Sequence, residues 1–242
     1  MQLALPFTYT SRFDDIDFVA APSNAAARAW VLGSDAFTRW PEGRMVLWGK
    51  SGTGKTHLLS IWAKRQGVSV IQGDLLKEDD IENIFNIKFD LGSQLLEGRC
   101  AIALDNADSV PKEQNLLHLL NLACEYQLPL LMVAQDPPTR WPVRLPDLQS
   151  RLRATASVAI DQAEEYLLYR LFLRLLAERQ LVVPHQIVMW LLYRMPRQAR
   201  AVCDCVALLD QMAIAEGGVV TRALAVRVLE CLDMSTENKV SG

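Results

Sequence analysis

The clearest chemistry in this chain lies in eight consecutive residues, Gly49-Lys50-Ser51-Gly52-Thr53-Gly54-Lys55-Thr56, which fit the phosphate-binding pattern GxxxxGKT. Three glycines let successive backbone N–H groups turn inward around an anion, and the positive end of a following helix adds to the same field. Gly49, Ser51, Gly52, Thr53 and Gly54 therefore form the candidate cradle. Lys55 is placed to reach the β- and γ-phosphates, and Thr56 to offer its hydroxyl to Mg²⁺. Together they predict a site for a nucleoside di- or triphosphate carrying a metal, the alternative being a glycine-rich turn that binds nothing.

A second constellation follows about fifty residues later. Cys100-Ala101-Ile102-Ala103-Leu104 is an apolar run ending in Asp105-Asn106. Such a run predicts a buried parallel strand that delivers a carboxylate to its C-terminal edge, where ligands of open α/β sheets bind. Asp105 is thus the expected partner of Thr56 in holding Mg²⁺. Asn106 can orient a water by hydrogen bonds but cannot take its proton as a carboxylate could. Gln135 and Asp136 end a further apolar run and fall beside the γ-phosphate in this reading, although ordinary loop solvation explains them nearly as well. Arg151 lies in Ser150-Arg151-Leu152, and its plain alternative is a surface ion pair with Asp147 one turn earlier.

The elements that must position these groups alternate. Arg44 to Trp48 predicts the strand before the loop, and a helix follows from about Gly54 to Gln66, capped by Gly67. Val68 to Ile71, Cys100 to Leu104, Leu128 to Ala134 and Ser157 to Ile160 predict further strands. Helices are expected over the Ala-rich stretch Ala25 to Leu32, with Ser23 or Asn24 as N-cap, over Lys112 to Tyr126 with Leu116, Leu117, Leu119, Leu120 and Ala123 inward, and over Leu145 to Arg153. Residues 73 to 98 are less legible, with helical patterns at Asp79 to Phe85 and Leu91 to Leu96. After residue 160 the pattern is helical only: Asp161 and Glu164 resemble a capping box opening a helix to about Arg179, and His185 to Arg194, Pro196 to Ala215 and Thr221 to Leu232 follow, with Pro196 suited to a first turn.

At 242 residues, half of them hydrophobic and 22% charged, the chain is long enough for one large and one small domain. The net charge of −3 gives no footprint for binding nucleic acid unaided, so any contact with DNA is expected to be indirect. Five cysteines lack metal-ligand spacing, and Cys203 and Cys205 point apart on a helix. No run reaches membrane-spanning length and no secretory leader is evident, so a cytoplasmic location is expected. The start, Gln2-Leu3-Ala4-Leu5-Pro6-Phe7, carries large apolar groups that either pack on the domain or form a linear docking peptide.

A phosphate loop, an Asp-ending strand, a polar strand tip, an SRL helix and an all-helical lid, in this order, resemble the AAA+ ATPases. Phe13 to Val19, Pro22-Ser23-Asn24 and GKSGTGKTHLL look like the nucleotide-binding domain of the bacterial replication initiator DnaA, and with QLALPF at the start and no helix-turn-helix region after the lid, residues 2 to 232 are similar to the Hda family within that group. The resemblance implies an α/β fold, a parallel phosphate-loop sheet with flanking helices, spanning 13–160, a helical lid over 161–234, a clamp-docking segment over 1–12 and a disordered tail over 235–242. It implies ADP or ATP as ligand, Asp105, Asn106 and Arg151 as the catalytic set, DnaA as partner through Arg151, and the DNA polymerase III sliding clamp as partner through Gln2, Leu3, Leu5, Pro6 and Phe7, with Phe7 where the family pattern has Leu. DNA is then met through the clamp. For the lid sensor arginine, Arg197 matches best and Arg200 is the alternative; monomer and homodimer both stay open. Two other classes share the loop. A helicase-loading or DNA-remodelling AAA+ ATPase would turn over ATP by itself, and a small-molecule kinase would carry arginines between its second and third strands, where only Arg99 stands.

Overall fold

In the computed structural model the apolar runs become five parallel strands of a single sheet: β1 (Arg44–Trp48), β2 (Val70–Gln72), β3 (Ile102–Asp105), β4 (Leu130–Ala134) and β5 (Ala156–Ala159). The structure describes residues 18–33, 39–79, 81–82, 101–215 and 219–240, the last stretch with side chains to Leu232. Strand order is β2-β3-β4-β1-β5, so β1, which feeds the phosphate loop, lies between β4 and β5. Register is set by Val46 opposite Met132 and Ser157, with Leu104 opposite Met132 on the far side of β4. β1, β3 and β4 are buried throughout or nearly so, as expected for strands covered on both faces.

Helices cover both faces. α1 (Pro22–Leu32) and α2 (Lys55–Gln66) pack Ala27, Val31, Leu58, Leu59, Ile61 and Trp62 against one face. On the other, α3 (Glu113–Glu125) and α4 (Pro146–Ala154) bury Leu116, Leu119, Leu120, Leu148 and Leu152. Leu117, predicted to be buried, is half-buried, and Asn115 goes inward instead, its Nδ2 donating to the Leu76 carbonyl at 3.2 Å. Four further helices, α5 (Glu165–Glu178), α6 (His185–Arg194), α7 (Ala199–Ala215) and α8 (Arg222–Val240), build a separate apolar cluster around Phe172, Val188, Leu191, Val206 and Leu209. Among the described residues no helix is long and apolar enough to cross a membrane.

Several predicted helix ends are corrected. Ala21, not Ser23 or Asn24, is the N-cap of α1; Pro22 opens the helix, and Asn24 Oδ1 accepts the Ala21 N–H at 3.1 Å. The capping box at Asp161 does not form, because α5 begins after Glu164, whose carboxylate accepts the Ser23 N–H at 2.9 Å across 141 residues. Pro196 precedes α7 rather than entering its first turn. Thr221 Oγ1 accepts the Leu224 N–H at 3.2 Å and caps α8, which runs past Leu232 to Val240. The predicted helical patterns over 83–85 and 91–96, Cys100 and residues 1–17 with their docking segment lie outside the described residues.

Candidate nucleotide site

β1 ends at Trp48 and the chain turns at once through the phosphate loop into α2, as its glycines require. A Cβ on Gly49 would fall 2.4 Å from the Ile160 carbonyl oxygen, in a stretch where the Ile160 N–H donates to the Trp48 carbonyl at 2.8 Å. Only a residue without a side chain lets β5 continue beside the loop. Gly54 caps α2 with φ +96, and Phe18 lies against it, 3.3 Å from where a Cβ would be and edge-on to His57. Thr53 Oγ1 donates to the Lys50 carbonyl at 3.0 Å, closing the loop on itself. Ser51 is exposed and Thr56, at the first turn of α2, is exposed as well.

Lys55 is buried, and its Nζ donates to the carbonyls of Gly49 at 2.7 Å and Lys50 at 2.8 Å. Burial draws its pKa below the ordinary lysine value, while the carboxylates of Asp105 and Asp108 oppose that shift. Asp105 is buried at the tip of β3, as predicted, and accepts the Asn106 N–H on Oδ1 at 3.0 Å. Asn106 takes a left-handed conformation with φ 51, and its Nδ2 stands 3.5 Å from Gln72 Oε1 at the tip of β2. A carboxylate and an ammonium thus lie near each other at the carboxyl ends of the strands, and Thr56 follows the ammonium in the first turn of α2. Hard oxygen donors suit Mg²⁺, and Thr56 with Asp105 would hold it, the remaining positions being water and phosphate oxygen. The metal, when bound, would neutralise phosphate charge.

Asp108 was not singled out by the sequence reading, yet its Oδ2 accepts the Gln135 N–H at 2.8 Å, tying the β3 tip to the β4 tip. The acidic side chain three residues after Asp105 was the available signal. Gly73 was also missed: a Cβ there would lie 2.4 Å from the Asn106 carbonyl oxygen, so β2 ends against the turn that follows β3. Gln135 and Asp136 are both exposed at the tip of β4.

The helical region reaches the loop through Gln198, whose Cβ, Cγ and Oε1 lie 3.0 Å from a Cβ built on Gly52, itself at φ +78. Arg197 is therefore adjacent to the residue that touches the loop. Its guanidinium pairs with Glu165 at 2.6 Å, both largely exposed, whereas Arg200 Nε pairs with Asp204 along α7. Exposed pairs of this kind are worth little and exchange readily for a phosphate oxygen.

Arg151 stands apart from this cluster. α4 belongs to the layer opposite α2, and Arg151 precedes β5, whereas the phosphate loop follows β1. β1 and β5 are parallel and paired from Met45 and Ala156 onward, so α4 descends toward the edge where the strands begin. The predicted alternative pair with Asp147 is not formed; among the described residues the Arg151 guanidinium has no carboxylate partner.

This fold is the AAA+ α/β fold. Domain III of the replication initiator DnaA from Thermotoga maritima superposes with a TM-score of 0.69 over 91% of this chain and 97% of that one, at 16% identity. AMPPCP-bound DnaA from Aquifex aeolicus gives 0.62 at 18% identity, covering 81% of this chain and 64% of that one. The Thermotoga maritima RuvB A156S mutant gives 0.64 at 15% identity, over 89% and 70%. No protein-family profile matches the chain, and no curated protein matches it by sequence.

Proposed function

We propose that this protein is an Hda-type negative regulator of replication initiation, which binds adenine nucleotide and the DNA-loaded sliding clamp and accelerates hydrolysis of DnaA-bound ATP through Arg151. The observation that carries this reading is Arg151 itself, unpaired and set away from the chain's own phosphate loop on the opposite layer of the sheet. The DnaA-like AAA+ fold and the AMPPCP found in two such neighbours support an adenine nucleotide in the cradle of Gly49 to Thr56. Gln135 and Arg197 complete its binding set.

Chemically, the chain's own site holds a nucleotide without strong turnover. Asn106 stands where a water-polarising carboxylate would serve hydrolysis, and an amide accepts no proton. Arg151 acts elsewhere. Entering the partner's site, its guanidinium is always charged and forks onto phosphoryl oxygens as negative charge redistributes toward the leaving ADP. An arginine supplied in trans is worth roughly 10³ to 10⁵ in rate in other phosphate-loop systems. The clamp segment, with anchors Gln2, Leu5 and Phe7, restricts the action to loaded clamps.

The test measures hydrolysis of DnaA-bound ATP with clamp and DNA present. Wild type should stimulate it, Arg151→Ala should retain clamp and nucleotide binding while stimulation disappears, and alanines at Gln2, Leu5 and Phe7 should remove clamp association. Full stimulation by Arg151→Ala removes that residue from the mechanism. A motor reading is favoured by the likeness to the Thermotoga maritima RuvB Holliday junction branch migration motor. Multiple turnovers per second by the protein alone would establish it in place of the regulator.

A further inference from the structure

Apolar packing alone leaves the orientation of α4 under-determined. Of its nine residues only Leu148 and Leu152 are buried, four apart and therefore on one ridge of the helix. A single ridge fixes how deeply a helix sits but resists rotation about the helix axis poorly, and that rotation decides where the half-buried Arg151 points. The helix start does not help. Leu145, at the N-cap, has no side-chain oxygen to offer the first-turn amides, and a helix this short is marginal by itself.

Polar ties at both ends supply what the ridge lacks. At the entry, the half-buried carboxylate of Glu113, from the first turn of α3, accepts the Arg144 N–H on both oxygens at 2.9 and 3.0 Å and the Leu145 N–H at 2.8 Å. Gln149, one turn into α4, returns its Nε2 to the Val143 carbonyl at 2.6 Å, so the entering chain is held from two helices. At the exit, the buried Thr155 donates its hydroxyl to the Arg151 carbonyl at 2.8 Å and its N–H to the Leu152 carbonyl at 3.2 Å. β5 follows directly and pairs with β1 from Ala156 opposite Met45, which ties this end of α4 to the sheet. Arg151 thus lies between a carboxylate clamp on the chain entering α4 and a hydroxyl clamp on its own carbonyl.

We infer that Glu113 is a positioning residue for Arg151, acting from another helix, with Thr155 as its counterpart at the far end of α4. The inference rests on the function proposed above and adds to it the groups that aim the arginine. Charge-assisted bonds from backbone N–H groups are short and directional, and a carboxylate at the entrance of α4 also meets the positive end of its dipole. Six residues separate Leu145 from Arg151, roughly 9 Å along the axis, so Glu113 acts through the helix and not on the reacting phosphate. Its effect is angular. A rotation of α4 by about 30° carries a group about 6 Å from the axis through about 3 Å. Misplacing a catalytic group by about 1 Å can cost roughly a hundredfold in rate.

The experiment uses full-length protein with ATP-loaded DnaA, clamp and DNA. It reads the saturating rate of hydrolysis, the half-saturating protein concentration, and amide exchange at the entry to α4. Glu113→Gln keeps the shape of the side chain but turns one acceptor into a donor facing backbone N–H groups. It should lower the saturating rate about tenfold or more while the half-saturating concentration and nucleotide affinity stay within about twofold of wild type. Exchange at Arg144 and Leu145 should quicken. Thr155→Val should lower the saturating rate in the same way and Thr155→Ser should restore it, a pair that decides the matter if Glu113→Gln does not fold. A saturating rate unchanged in both Glu113→Gln and Thr155→Val overturns the inference and leaves the proposed function standing. A change confined to the half-saturating concentration makes Glu113 part of a contact surface and overturns it as well. Failure of wild type to accelerate hydrolysis overturns that function and the inference with it.

Discussion

At the scale of the residue, Lys55 joins the loop to the carboxylates of the β3 tip. Its ammonium is buried, satisfied by two carbonyls, and faces Asp105 and Asp108. Replacing it by Ala removes a charge-assisted bond to phosphate and leaves a cavity under the loop, so Mg-nucleotide affinity measured by calorimetry should fall roughly ten- to hundredfold. An affinity within a factor of two of wild type would show that phosphate does not sit there. The loop and both flanks were legible because the pattern needs its residues contiguous. Asp108 and Gly73 were not, since their roles depend on the tips of β4 and β3 arriving beside them.

At the scale of the element, the junction between β1 and α2 is the tightest point near the site. Gly49 has no room for a methyl group against the Ile160 carbonyl. Gly49→Ala must push β5 away from β1 or shift the loop, and either destabilises the protein by more than about 1 kcal/mol and weakens nucleotide binding together. Denaturant unfolding alongside nucleotide titration checks this, and a variant unchanged in both would mean the junction yields without cost. Strand and helix periodicities were readable because burial on both faces writes continuous apolar runs into β1, β3 and β4. The helix caps were misread for a different reason: local polar residues signal a start, but at Glu164 the carboxylate was taken by Ser23 at the beginning of α1.

At the scale of the whole molecule, two apolar clusters on the sheet faces and a third among α5 to α8 divide the buried residues. The third contains Phe172 and Cys205, both fully buried, and burial pushes the Cys205 thiol up to about 12. At pH 8 such a thiol is ionised to about one part in ten thousand, so alkylation requires the helices to open. Phe172→Ala should destabilise this region by about 3–5 kcal/mol and sharply raise the labelling rate of Cys205, read residue by residue by mass spectrometry. Amide exchange in β1, β3 and β4 should remain slow in the same variant. Equal acceleration in the sheet would show that helices and sheet unfold as one unit.

The sequence alone determined the phosphate loop, the Asp-ending strand and the alternation of strands and helices, since each rests on contiguous residues or on a short period imposed by burial. The tertiary structure decided everything that depends on residues far apart in the chain: the strand order that sets β1 between β4 and β5, the bond from Asp108 to Gln135, the approach of Gln198 to Gly52, and the freedom of Arg151 from Asp147. Spacing states which side chains can meet within a turn of helix, but whether a charge finds a partner depends on what the rest of the fold has already engaged. Around α4, Glu113 accepts the backbone N–H groups of Arg144 and Leu145, and the Arg144 guanidinium has no ion pair among the described residues.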